Sequence, residues 1–129
     1  MKRLSLFVSL LAAAPCWGAF PGAEALDARA VGMGGALRSL AGGASAARFN
    51  PAALSPVRGF FAESSYATQA EGGFDGVQVT LVDNITSPMG GALQYVHIQG
   101  KQEREEIGLS LSAGGRGLWW GFTTRYVRA

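Results

Sequence analysis

A chain of 129 residues with one cysteine and one histidine cannot build a disulfide scaffold, and its length suits one modest domain. Eleven basic residues against nine acidic ones give a formal charge of +2, but Lys2 and Arg3 sit at the extreme N-terminus, and without them the balance is nine against nine. Nucleic-acid binding is thereby disfavoured, because it needs a basic patch on the folded part of the chain.

Residues 1–18 have the layout of a secretory signal peptide: Lys2 and Arg3, an apolar stretch over 4–14, then Pro15, Cys16, Trp17 and Gly18. The apolar core is about a dozen residues, short of the roughly 20 that a helix needs to cross a bilayer, so cleavage is expected rather than anchoring. Cys16 and Gly18 supply small residues at the two positions a peptidase reads for a cut after Gly18. A cut after Ala19 would put bulky Trp17 in one of them. Lipidation of Cys16 is disfavoured by Pro15 directly before it and by the missing leucine three positions upstream. Cleavage also removes the cysteine, and with it a thiol nucleophile and a cysteine-ligated metal site.

Residues 19–58 form the next unit, dominated by a glycine- and alanine-rich run over 27–55 that closes on Asn50-Pro51-Ala52. The 19 glycines of the chain are about twice average usage and follow no collagen period, so they are assigned to turns, close packing and tight bends. Gly32, Gly34 and Gly35 are expected to let the backbone pass close to a wall. Residues 36–41 offer a short helix with Leu37 and Leu40 on one side, and Asn50 before Pro51 favours an extended residue and a turn. A dinucleotide-binding fingerprint is not met, since Leu37 stands where the third glycine belongs and no strand precedes the run.

From residue 59 onward the pattern is β. A first strand over 60–68 puts Phe60, Ala62, Ser64 and Tyr66 on one face and Phe61, Glu63 and Ser65 on the other. Residues 71–76 read as a loop. A second strand over 77–82 alternates Val77, Val79 and Leu81 with Gln78 and Thr80. The third, over 91–99, is less regular: Leu93 with Tyr95 competes against Ala92, Val96 and Ile98 for the apolar face, and its orientation stays open. In the fourth, Ile107, Leu109, Leu111 and Ala113 alternate with Gly108, Ser110 and Ser112, and residues 114–117 turn the chain into a fifth strand over 118–127. There Trp120, Phe122, Thr124 and Tyr126 share one face and Gly121, Thr123 and Arg125 the other.

Apolar and aromatic side chains on one face with polar ones on the other suit a barrel in lipid, where Trp120, Phe122 and Tyr126 would face the bilayer. A soluble antiparallel sheet with one wet face produces the same alternation. Counted from a periplasmic start, the strands put the loops at 71–76 and 100–106 outside the cell and those at 83–90 and 114–117 on the periplasmic side. The charged run over 101–106 reads as a solvated loop, with Glu103, Glu105 and Glu106 as ordinary solvent-facing carboxylates.

Ala28-Arg29-Ala30-Val31-Gly32-Met33-Gly34-Gly35-Ala36, followed by Asn50-Pro51-Ala52-Ala53-Leu54, resembles the N-terminal segment of the outer-membrane transport protein superfamily. That superfamily holds the FadL/TodX-type long-chain fatty acid and hydrocarbon channels and the PorV/PorQ-like barrels. Its members open, after a signal peptide, with a segment of the form AR-x-x-GMGGA, a short helix and Asn-Pro-Ala before the first strand. The resemblance implies an all-β fold, the N-terminal part of a transmembrane antiparallel β-barrel. It makes Gly32, Gly34, Gly35, Asn50, Pro51 and Ala52 part of an internal plug, and places residues 59–129 as the first strands. Many relatives carry acidic residues where this chain has Leu40-Ala41-Gly42-Gly43-Ala44, so no role of those carboxylates is carried over.

Catalysis finds little to use. His97 has no cysteine or carboxylate pair nearby in sequence and reads as a lumen or surface residue, and Ser64, Ser65 and Ser110 lack the Gly-x-Ser-x-Gly setting of a nucleophile. Neither a metal nor a cofactor is expected. A single-chain barrel needs at least eight strands to close, so five point to the N-terminal piece of a longer barrel. Two function classes follow: passive passage of hydrophobic compounds across the outer membrane, with outer-membrane lipid and a hydrophobic small molecule as partners, or a non-transport role. In the latter a barrel, or a soluble periplasmic module, would serve as attachment or secretion partner for another protein.

Overall fold

The structure, a computed structural model, describes residues 26–34, 36, 42–68, 74–100 and 103–129. The expected signal peptide, Gly35 and the expected helix beyond Ala36 lie outside these. Five strands form one open antiparallel sheet in sequence order: β1 (Phe60–Thr68), β2 (Phe74–Asp83), β3 (Gly90–Gly100), β4 (Arg104–Gly115) and β5 (Leu118–Arg128). Each strand pairs with the next, as short connections between neighbours require. The all-β expectation holds, and every expected strand is present.

The strands run longer than their alternation alone indicated. β2 begins at Phe74, inside the expected loop, and β4 begins at Arg104, inside the expected charged loop. Backbone pairing extends past the last apolar residue of a strand because the ladder bonds do not depend on what the side chain is. β4 also continues through Gly115, so the β4–β5 connection is the two residues Arg116 and Gly117, at φ 54° and 86°. Positive φ at both positions matches the right-handed twist of the flanking strands, and only Gly117 adopts it without steric penalty.

Register fixes which residues share a face. On one face the rows Ala62–Leu81–Leu93–Leu109–Thr124 and Ser64–Val79–Tyr95–Ile107–Tyr126 run across all five strands. On the other lie Glu63–Thr80–Gln94–Gly108–Arg125 and Ser65–Gln78–Val96–Glu106–Val127. The orientation of β3 is thereby decided: Ala92, Gln94, Val96 and Ile98 are buried, and Leu93 and Tyr95 face out.

The described residues between 26 and 59 form an arm that covers the second face. It contains helix α1 (Ala28–Gly32), a 3-10 turn at Gly43–Ser45 that runs into helix α2 (Ala46–Phe49), and a further 3-10 turn at Pro51–Ala53. α2 stops at Asn50, held at φ −153° and ψ 79°, because Pro51 excludes the helical conformation from the residue before it. That part of the expected turn is observed. The core is thin and made of small side chains: Ala46, Ala47 and Leu54 of the arm pack on Val82 and Ala92, with Phe61 at the edge.

Candidate functional site

The sheet is covered on its polar side. Gln78, Thr80, Gln94, Glu106, Ser110 and Ser112 are buried, whereas Val77, Val79, Leu81, Leu93, Ile107 and Leu109 are exposed on the opposite face. Trp120, Phe122 and Tyr126 share that open face and are 54%, 51% and 68% exposed. A soluble sheet buries its apolar face, because apolar area removed from water is the main favourable term in folding. This sheet leaves its more apolar face open, while the covered face mixes those polar groups with Val82, Ala92, Val96 and Ile98.

Burying the polar face demands partners for it, and the arm supplies them. The two alanines at the start of α2 bring its backbone close enough for Ser110 Oγ to donate to the Ala47 carbonyl at 2.8 Å, with Thr123 Oγ1 donating to the same oxygen at 3.3 Å. One residue on, the Arg48 carbonyl accepts from Arg125 Nη2 at 2.8 Å. Ser55 closes the far end: its N–H donates to Ser112 Oγ at 3.2 Å, its hydroxyl donates to the Ser112 carbonyl at 2.8 Å and accepts from the Gly90 N–H at 3.0 Å.

Glu106 is the centre of the charged part. Only 1% exposed, its carboxylate lies 3.3 Å from Arg48 Nη1, 3.2 Å from Arg125 Nε and 3.2 Å from Arg104 Nη2. Arg48 Nη1 also donates to Gln94 Oε1 at 2.9 Å, which ties the arm to β3 and β4 at once. The expectation that Glu106 is a solvated loop carboxylate is therefore corrected. It sits within β4 on the arm side, where alternation turns every second residue of a charged run inward. Glu103 remains exposed, and Glu105 faces the other way, accepting from Tyr95 Oη at 3.0 Å.

Of the arm residues singled out from sequence, Pro51 and Ala52 lie against the sheet, Asn50 ends α2 just before them, and Gly32 and Gly34 are exposed. A Cβ on Gly121 would fall 2.5 Å from the Pro51 carbonyl carbon and from the Ala52 nitrogen. At Gly32 and Gly34 it would meet nothing within 4 Å. The close approach thus rests on a strand glycine, and the expected wall contact at Gly32 and Gly34 is not what they provide. Gly34 instead takes φ +58°, a conformation glycine adopts freely.

Asn84, which carries no motif, proves central to how the arm enters the sheet. Its Oδ1 accepts from the Gly59 N–H at 2.6 Å and its Nδ2 donates to the carbonyls of Leu54 and Val57. Asn84→Ala strands all three backbone groups, two of them in partly buried positions. A loss of about 2–3 kcal/mol is expected by urea unfolding, with faster amide exchange confined to 54–59. Only its place directly after a strand, where an asparagine can satisfy a loop, hinted at this in the sequence.

His97 lies on the open face, in the row Tyr66–Val77–His97–Glu105–Arg128 at the end of the sheet away from the β4–β5 turn. Among the described residues no group of three or more His, Cys, Asp or Glu is placed to hold a metal ion, and no helix is long and apolar enough to cross a membrane. The arrangement offers a docked arm and an outward apolar face. Comparison of the chain with protein-family models, with curated proteins and with solved structures finds no match.

Proposed function

We propose that this chain forms the arm and first strands of an outer-membrane β-barrel of FadL/PorV-like type, which passes hydrophobic compounds across the outer membrane without catalysis. The observation that carries this is the inverted sheet: aliphatic and aromatic side chains on the open face, polar and charged ones beneath the arm. In lipid that polarity is the favourable one, with the arm inside the lumen and Trp120, Phe122 and Tyr126 against the bilayer. From Leu118 to Tyr126 the strand rises about 26 Å, enough to span an apolar band of about 25 Å before tilt. The sheet edges at β1 and β5 must then pair with further strands, since hydrocarbon does not tolerate unpaired backbone groups. An N-terminal export signal is consistent with this location.

A second role, a barrel that holds or delivers a secreted protein and does not transport, is favoured by the density of bonds between residues 47–59 and the sheet. A disulfide separates the two. Ser55 Oγ and Ser112 Oγ lie 2.8 Å apart, within the range that a Ser55→Cys, Ser112→Cys pair can bridge. The protein expressed in a Gram-negative host is expected in the urea-resistant outer-membrane fraction, where it speeds entry of a fluorescent hydrophobic probe. Recovery as soluble periplasmic protein would reject the barrel. Probe entry that is lost on oxidation of the double-cysteine variant and restored by reductant supports a moving arm, and entry absent from wild type supports the attachment role.

A further inference from the structure

Leu26 fills a notch in the arm-covered face. It packs on Val96, Ile98 and Ala67, and a Cβ on Gly76 would fall 2.6 Å from its Cδ2. One row along, Ser65 and Gln78 stand directly opposite each other on β1 and β2. Gln78 is 3% exposed, and both its Oε1 and the Ser65 Oγ are buried without a hydrogen-bond partner. Buried polar groups are almost always paired, because leaving one unmade forfeits its solvation with no return. Among the described residues one further buried side-chain atom on this face lacks a partner, Arg104 Nε, and it belongs to a guanidinium already paired with Glu106 through Nη2; the other two lie beside the apolar notch.

We infer that the notch of Ala67, Gly76, Val96 and Ile98, with Ser65 and Gln78 at its rim, is a binding subsite for an uncharged apolar molecule bearing a hydroxyl, and that Leu26 is its built-in occupant. The inference rests on the barrel described above, in which this face lines a lumen. A hydroxyl donates to Gln78 Oε1 while it accepts from Ser65 Oγ, so one group satisfies both atoms. A carboxylate fails at the acceptor Oε1, and Glu63, next on the same face of β1, repels it further. An alkane leaves both atoms unpaired, the situation in which polar sites discriminate most strongly.

Leu26 is held in the notch by packing, and the chain that follows it is anchored to the arm rather than to the sheet. The anchor is Asp27, whose Oδ2 accepts from Ser45 Oγ at 2.7 Å and whose Oδ1 caps α1 at the Arg29 and Ala30 nitrogens, both at 3.0 Å. Ala30 packs on Phe49. The stretch from α2 to Gly59, by contrast, is bound to the sheet through Arg48, Ser55 and Asn84. Displacement of Leu26 thus leaves the rest of the arm in place.

A self-occupied site lowers apparent affinity by the fraction of time it is open. In equilibrium binding of labelled 1-dodecanol to the full-length protein in detergent micelles, Leu26→Ala is expected to tighten binding by about tenfold. Gln78→Leu is expected to abolish the preference for 1-dodecanol over dodecane, and dodecanoate to bind more weakly than the alcohol to wild type. Unchanged alcohol binding in Leu26→Ala, or an alcohol-to-alkane ratio unaffected by Gln78→Leu, overturns the subsite. Far-UV circular dichroism of each variant reports whether the sheet is retained, and Ser65→Ala gives a second reading of the ratio if Gln78→Leu does not fold. Hydrophobic probe entry by wild-type cells alongside no saturable alcohol binding rejects the subsite and leaves the channel standing.

Discussion

Glu106→Gln is expected to destabilise the protein by about 3 kcal/mol, the low end of what breaking a buried ion pair costs. The carboxylate is the one negative group among Arg48, Arg104 and Arg125 in this cluster, each within 3.3 Å of it. Removing its charge leaves three guanidiniums facing one another beneath the arm, with partial relief because Arg104 and Arg125 are 40% and 35% exposed. Arg104→Gln is the control. That guanidinium is partly solvated, and Glu106 keeps two partners, so a loss below about 1 kcal/mol is expected. Urea unfolding of both variants measures the difference, and equal losses would show that Glu106 is not what holds the cluster. Because Arg48 belongs to the arm, Glu106→Gln is further expected to speed amide exchange over 46–50 before it affects β1 or β2.

Gly121→Val is expected to cost about 3 kcal/mol or more and to free the arm around Asn50-Pro51. The side chain it introduces meets backbone atoms, Pro51 C and Ala52 N at 2.5 Å. No rotamer change can relieve such a contact, which places the effect at the upper end of overpacking penalties. Limited proteolysis should then cut within 50–57 while the strands persist. Gly32→Ala supplies the contrast, because a Cβ there meets nothing within 4 Å. A neutral or slightly stabilising change is expected, since alanine is the better helix former. If Gly32→Ala proved as harmful as Gly121→Val, the arm would rest on the sheet differently from what is described above.

The strands were legible because period-2 alternation needs only local sequence. Ile107, Leu109 and Leu111, or Trp120 and Phe122, fall on one face whatever lies nearby. The break at Asn50 was legible for the same reason, as proline restricts its neighbour directly. Glu106 was not legible, because a charge inside a charged run looks solvated until register places it opposite Val96 and Val127. Nor was Asn84, whose partners Leu54, Val57 and Gly59 lie 25 to 30 residues upstream. For the glycines, those of the arm drew attention by clustering, whereas Gly121 looked like one of several strand residues. A close contact depends on what crosses the strand, and that is set by the fold of the arm.

The all-β class, the five strands, the two faces of each and the turn at Asn50-Pro51 are all consequences of spacing along the chain. Which face is covered follows only from how the chain packs in three dimensions. Alternation defines two faces but carries no sign, and burial is a property of the arm that lies on one of them. By meeting Ser110, Ser112, Thr123 and Glu106 with its own carbonyls, Ser55 and Arg48, the arm makes the polar face the inner one and leaves the apolar face open.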